Sequence, residues 1–386
     1  MSYDDPSLSE FRGYFKAKEP GKRARAEAWA TAIGLQKVDG LSVSRYLVAT
    51  AKDHIEGRIT QAQAKRRIHD YYEAKDERHR PDPELLEPDK VSERIAAVIN
   101  DGGFAFSPTY LKSIHRKLFR GVLQQAGEYR TVNVRKHEWV LREDSVTYAS
   151  ADDIAALLKS DFEDEAAFEY AGKSAVEIIP HFASFVSAIW QRHPFREGNS
   201  RTTAVFAVKY LRQLGYSVTN NMFAEHSWYF RNALVRANYM GLGKNAGRTT
   251  AYLIAFFRNL LLGEKNELKN RYLLVGIDRP PPRFDDGQFP QVVRKGGQKK
   301  WSEKGGQKKA VGKGVLKTAD RLLGLVARRP SITQLELMTQ LGIKSRSAVQ
   351  KHIANLKKAG RLRRVGPDKG GHWEIVEQVT SNGKMV

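Results

Sequence analysis

His193-Pro194-Phe195-Arg196-Glu197-Gly198-Asn199-Ser200-Arg201 reads as a helix end, a forced stop, a small anion nest and the start of a second helix. Upstream, Phe182, Phe185, Val186, Ile189 and Trp190 recur at helical spacing, and His193 continues that inward face. Pro194 disfavours helical dihedrals at the residue before it, so the helix ends at His193. Gly198 and Asn199 are the residue types that best tolerate positive φ. Ser200-Arg201 then opens an apolar run from Ala204 to Leu214, a second helix. Successive N–H groups over a helix N-terminus bind phosphate. Arg201 offers a planar fork to phosphate oxygens, and Glu197 is a hard oxygen ligand suited to Mg²⁺. His193 titrates near neutrality and suits a general base. The spacing of His193 and Glu197 does not make a zinc pair, because Pro194 breaks the helix that such a pair needs. The plainer alternative is a structural loop with an inert, buried His193.

These residues resemble the signature loop of the Fic family, His-Pro-Phe-x-(Asp/Glu)-Gly-Asn-(Gly/Lys)-Arg-x-x-Arg. Two positions depart: Ser200 stands where Gly or Lys is usual, and Ala204 where the second Arg would be. The resemblance covers residues 105–275 and implies a mostly α fold, an all-helical core with a β-hairpin flap. It further implies transfer of AMP from Mg-ATP to a Ser, Thr or Tyr hydroxyl of a target protein, with ATP as substrate and Mg²⁺ beside it. In that chemistry His193 takes the hydroxyl proton and Glu197 holds Mg²⁺. The N–H groups of Gly198, Asn199 and Ser200, with Arg201, hold the phosphates, and Phe195 anchors the loop. Tyr229 and Asn232, one helical turn apart, would face adenine; core packing is the competing reading. With Ala204 in place of Arg, phosphoryl transfer, the chemistry of the Doc subgroup, stays open beside AMP transfer.

Upstream of the loop, residues 1–80 read as polar and helical. Glu56-Gly57 resembles the end of the inhibitory helix of self-inhibited Fic proteins, although Lys52 replaces the usual Ser/Thr. A plain helix C-cap explains Glu56-Gly57 equally well. Residues 81–89 are a Pro-rich, acidic connector, and residues 91–123 read as helical. The period then changes: Tyr129, Val132, Val134, Val140, Val146 and Tyr148 are β-formers, so residues 129–148 read as a hairpin. Its first arm, with Thr131, Val132 and Asn133, would be the flap that aligns an extended target segment by strand addition. Helices are expected over 154–168, 175–192, 228–239 and 249–262, with a polar helix end over 264–271.

The chain has 386 residues, no Cys and a net charge of +22. That length implies two or three domains. Absence of Cys removes disulfides, thiolate metal sites and a cysteine nucleophile, and it fits a cytoplasmic location. No apolar run reaches the ~18 residues of a membrane span, so no membrane partner is expected. Residues 291–386 hold 22 Lys+Arg against 6 Asp+Glu, so +16 of the net charge lies there. Such an asymmetry points to a basic module that meets a polyanion. Residues 279–314 are a linker with Pro280-Pro281-Pro282 and a twice-repeated Lys-Gly-Gly-Gln-Lys-Lys. Residues 315–380 follow the order helix, helix, helix, hairpin and resemble a winged helix-turn-helix. DNA is then the expected partner: Lys344, Ser345, Arg346, Ser347, Gln350 and Lys351 would enter a groove. Arg363 and Arg364 of the wing would meet phosphates. The expected division is a helical, inhibitory-type region 1–90, a catalytic domain 91–278, the linker, and the DNA module; a homodimer is compatible with it. The competing function is a transcription regulator with a silent Fic domain.

Overall fold

The computed structural model describes residues 9–74, 81–218, 221–241, 247–277 and 279–284. Towards the C-terminus it describes 322, 326, 337, 349–350, 353–354, 356–357, 362–365 and 372–375. The chain divides into two units, Met1–Lys300 and Trp301–Val386.

Ten α-helices are described in the first unit: α1 Pro20–Gly34, α2 Arg45–Ile55, α3 Gln61–Glu73, α4 Leu86–Asn100, α5 Pro108–Phe119, α6 Ile154–Ala167, α7 Ala175–Arg192, α8 Asn199–Gln213, α9 Asn221–Asn238 and α10 Ala251–Leu262. Caps set many of their starts. Ser44, Ser107 and Ser174 accept from the third residue on, and Thr60 and Ser174 complete capping boxes with Gln63 and Glu177. The expected helix over 91–123 is two helices, because Asp101 ends α4 and Ser107 caps α5. The expected polar helix end over 264–271 is irregular chain followed by a 3₁₀ turn, Asn270–Leu273.

One hydrophobic core runs from Phe11 to Val275. Helix α8 sits in its middle, buried from Asn199 through Leu211. Helix α1 packs against α4 and α9. The α1–α9 approach is so close that a Cβ on Gly34 would lie 2.3 Å from the Ala224 carbonyl oxygen, so only glycine fits there. Ser227 Oγ donates to the Gly34 carbonyl at 2.6 Å.

Residues 129–148 leave the helical body and return, as expected, but the two arms form no strand ladder. They bury Val140, Leu141, Val146 and Tyr148 in the core instead. A 3₁₀ turn at Trp139–Leu141 reverses the chain, and Arg142 and Glu143 take positive φ. The guanidinium of Arg130 bridges the arms, donating to Val132 O at 2.7 Å and Ala149 O at 2.5 Å. Buried Glu138 then fixes the tip by accepting from Arg231 Nη1 at 2.6 Å and from the Tyr148 hydroxyl at 3.2 Å. The two-stranded antiparallel sheet of the described residues lies in the second unit, β1 Leu362–Val365 paired with β2 His372–Ile375. There Leu322, Val326, Leu337, Val349, Ile353, Leu356, Leu362 and Trp373 form a separate core.

Candidate active site

The nine-residue loop lies between α7 and α8. Helix α7 ends at Arg192, and His193 caps it in the left-handed region at φ 44°, ψ 57°. For a side chain larger than glycine this conformation is costly, and three groups hold it. The His193 N–H donates to Trp190 O at 3.0 Å. Arg130 Nε donates to His193 O at 2.8 Å, and the Arg130 N–H to Pro194 O at 2.8 Å. Asn199 staples the loop across its base: its Oδ1 accepts from Phe195 N–H at 2.9 Å and its Nδ2 donates to Phe195 O at 2.7 Å. Phe195 is buried and stacks on His115, centroids 3.8 Å apart. Gly198 takes φ 70°, and a Cβ there would lie 2.4 Å from the Phe119 ring, so the turn requires glycine twice over.

The His193 ring is 3% exposed and sits against Tyr148 and Trp190, at 4.1 and 5.7 Å between centroids. Neither ring nitrogen has a hydrogen-bond partner. Burial holds its pKa well below the usual histidine range, helped by the positive charges of Lys136, Arg130 and Arg231. The imidazole is therefore neutral near pH 7 and its nitrogens are uncommitted, as a proton acceptor requires.

Beside the loop opens a cavity of about 640 Å³. Glu197, Gly198, Arg196 and Arg201 line it from the loop, Val132, Asn133, Arg135 and Lys136 from the flap, and Asp39, Leu41 and Glu87 from the N-terminal region. Thr131 is exposed nearby in sequence but is not part of this lining. Helix α8 starts at Asn199, and Thr202 N–H is the first to bond back, to Gly198 O. The earlier N–H groups of the helix thus lack an intrahelical acceptor, which is the donor set of an anion nest.

Arg201 is 2% exposed and already engaged. Its Nη1 donates to Gln36 Oε1 at 2.9 Å and its Nη2 to Glu87 Oε1 at 2.8 Å. Its Nε lies 2.8 Å from Asp39 Oδ2, an ion pair by distance without hydrogen-bond alignment. The fork expected to hold phosphate is filled by the N-terminal region. Ser200 Oγ accepts from Trp190 Nε1 at 3.0 Å, and Ala204 is fully buried.

Other expected site residues lie elsewhere. Glu56 is not brought to the loop: it caps α2, Gly57 follows at φ 78°, and its carboxylate pairs with Lys22 at 2.6 Å. The plain C-cap explains the motif, and the carboxylates that reach the loop are Asp39 and Glu87. Tyr229 and Asn232 do not face this cavity either; both are buried in the core, and Asn232 Nδ2 donates to Asn270 Oδ1 at 2.8 Å. Among the described residues, no group of three or more His, Asp or Glu side chains forms a metal cage. The exposed carboxylate of Glu197, beside an anion nest, fits a Mg²⁺ that takes its remaining ligands from phosphate and water. Of the expected DNA contacts, Lys344, Ser345, Arg346, Ser347 and Lys351 lie outside the described residues, as does the side chain of Arg364. Gln350 is exposed on a helix, and exposed Arg363 pairs with Glu374 at 2.7 Å across the hairpin.

Sequence reasoning missed His115, Arg130, Asp39 and Glu87. His115 accepts from Gly127 N–H at Nδ1, 2.7 Å, and its Nε2 lies 3.1 Å from Glu197 O. Burial pushes its pKa down to about 4.

The family model of the Fic/DOC family matches residues 105–211. A probable protein adenylyltransferase, y4lH of Sinorhizobium fredii (strain NBRC 101917 / NGR234), is 27% identical over 146 residues, 37% of this chain and 70% of the relative. A Fic family protein from Desulfovibrio desulfuricans G20 aligns over 97% of this chain and 95% of its own, with TM-score 0.42 and 13% identity. The VirB-translocated effector BepC of Bartonella tribocorum, solved with bound AMPPNP, aligns over 46% and 89%, with TM-score 0.34 and 19% identity.

Proposed function

We propose, from the premise that residues 105–211 are a Fic/DOC-family domain, that this chain is a protein adenylyltransferase that moves AMP from ATP to a hydroxyl side chain of a target protein. The observation that carries the reading is a buried, neutral His193 with both ring nitrogens uncommitted, five residues before Gly198, which lines the cavity at the start of α8.

In this reading the loop residues divide the chemistry among them. His193 accepts the proton of the target hydroxyl as its oxygen attacks the α-phosphorus. One P–O bond forms to that oxygen, the bond to the β-phosphate breaks, and pyrophosphate leaves. The positive neighbours that depress the His193 pKa are partly neutralised when a polyphosphate enters, which raises the ring's basicity when it is needed. The N–H groups of Gly198, Asn199 and Ser200 would stabilise the charge that grows on phosphate oxygens. Glu197 would hold Mg²⁺, which supplies charge neutralisation for the α- and β-phosphates. Arg196 and Lys136 line the same cavity and add positive charge at its mouth. Arg201 joins the phosphates only by exchanging Asp39 and Glu87 for them, so this region restrains the site in the described state. Val132, 53% exposed, and Asn133 stand at the cavity edge where a target segment would lie.

The test uses two labels. Incubation with α-³²P-ATP and Mg²⁺ should label a target or the chain itself, whereas γ-³²P-ATP should not; the reverse pattern would replace AMP transfer by phosphoryl transfer. For the second unit we propose DNA binding, supported by its net charge of +12 (18 Lys+Arg against 6 Asp+Glu over 301–386), its own core and its hairpin. A full-length chain that fails to retard duplex DNA at low salt would remove that part alone.

A further inference from the structure

We propose that His115 is a positioning residue that aims the Gly198 N–H at the bound phosphates, an inference that rests on the nucleotide-transfer reading for its catalytic consequence.

A trans peptide unit points its C=O and N–H in opposite directions. The Glu197 carbonyl and the Gly198 N–H belong to one such unit, so whatever fixes the carbonyl also fixes the N–H. His115 fixes the carbonyl. Gly127 N–H donates to Nδ1 at 2.7 Å, which requires Nδ1 to carry the lone pair. The ring proton is then on Nε2, and Nε2 donates to Glu197 O at 3.1 Å. Stacking on Phe195 at 11° and a 4.7 Å contact with Phe119 prevent the ring from turning. The carbonyl is drawn towards α5, and the Gly198 N–H points away from it, where Gly198 lines the cavity.

This peptide needs such a restraint. Glycine at 198 lets the backbone occupy either side of φ at little cost, so the chain alone does not choose between the two orientations. In the flipped form the Glu197 carbonyl dipole would face the phosphates and repel them. The signal in the sequence is one His on the otherwise apolar stripe Leu111, Ile114, Leu118, Phe119.

Three full-length variants separate aiming from packing. His115→Asn keeps an acceptor near Gly127 and loses the donor that reaches Glu197. His115→Gln returns an N–H near the Nε2 position. His115→Phe keeps the ring and removes both hydrogen bonds. With selectively ¹⁵N-glycine-labelled protein, adding AMPPNP and Mg²⁺ should shift the Gly198 amide in wild type and in His115→Gln. AMPPNP affinity and the transfer rate should each fall about tenfold or more in His115→Asn and His115→Phe, the scale of losing one preorganised donor. Equal binding and transfer by wild type and His115→Asn would overturn the proposal, as would His115→Gln performing no better than His115→Asn. Should the variants not fold, the imidazole ¹⁵N shifts of wild type decide: a protonated Nε2 and bare Nδ1 are required, and the opposite tautomer ends the proposal. Wild type that binds AMPPNP through the Gly198 amide but transfers nothing would sink the nucleotide-transfer reading and leave His115's aim standing.

Discussion

The two ends of the signature loop are prepared in opposite ways. His193 has no hydrogen-bond partner at either ring nitrogen, while all three guanidinium nitrogens of Arg201 lie within 2.9 Å of Gln36, Asp39 or Glu87 oxygens. The imidazole is left uncommitted between Tyr148 and Trp190, and the guanidinium is committed to carboxylates from another part of the chain. A neutral base loses nothing by waiting in a dry site, because its desolvation cost falls on the charged form. A buried, unpaired guanidinium would be far more costly, so the cation needs partners until an anion arrives. The contrast sets a side chain left open among Arg130, Tyr148 and Trp190 against one engaged by Gln36, Asp39 and Glu87.

The largest expected effect is at the open end. His193→Ala should lower transfer from α-³²P-ATP by about a thousandfold or more. Retained transfer would break the comparison outright. Arg130→Met comes next. It leaves the His193 and Ala149 carbonyls unpaired in the interior, for a loss of about 3 kcal/mol in denaturant unfolding together with weakened transfer. Unchanged stability would mean that something else holds the strained residue.

The third test is pH. His115 and His193 both have folded pKa values below the unfolded 6.5, so the unfolded chain binds more protons between these values. Their contribution to stability is fully present above pH 6.5 and is lost as pH falls. For His115 the loss runs towards about pH 4 and amounts to about 3 kcal/mol. Unfolding free energy measured from pH 7.5 down to 4.5 should fall accordingly, and His115→Gln should flatten that slope.

Smaller effects probe the committed end. Glu87→Gln should raise AMPPNP affinity about fivefold by lightening the competition for Arg201, a gain of the size expected for a partly exposed ion pair. Glu56→Gly should stay within about twofold of wild type, because its carboxylate faces Lys22. A larger gain from Glu56→Gly than from Glu87→Gln would move the restraint back to α2. Smallest of all, Arg363→Ala should lower the salt slope of DNA binding by about one phosphate contact.

What was legible in the sequence was local. The stop before Pro194, the positive φ at Gly198 and the helical periods of α5, α7 and α8 are set by neighbours a few residues away. The excursion over 129–148 was legible as a change of period, but its lack of a ladder was not. The β-forming Val140, Val146 and Tyr148 serve burial, and Arg130 supplies the cross-arm bonds that a ladder would have made. Least legible were Asp39 and Glu87, which meet Arg201 across 162 and 114 positions, with no periodicity to announce them. Glu56-Gly57 carried the more familiar pattern, and its carboxylate pairs with Lys22 rather than with Arg201. Arg130 had a usable signal, a charged residue between Tyr129 and Val132 in a segment bound for the interior.

The close seating of α1 on α9 bears on how the molecule can be taken apart. Deleting the first forty residues looks like the direct way to free Arg201, since it removes Gln36 and Asp39 together. It would also remove Trp29, Ile33 and Leu35, all buried in the core shared with α9, and leave the surface beneath Gly34 open to water. A truncated chain that lost activity, or aggregated, would report damage to that core and nothing about restraint. Single substitutions at the acids, which leave the helix in its seat, are the form of surgery this architecture tolerates.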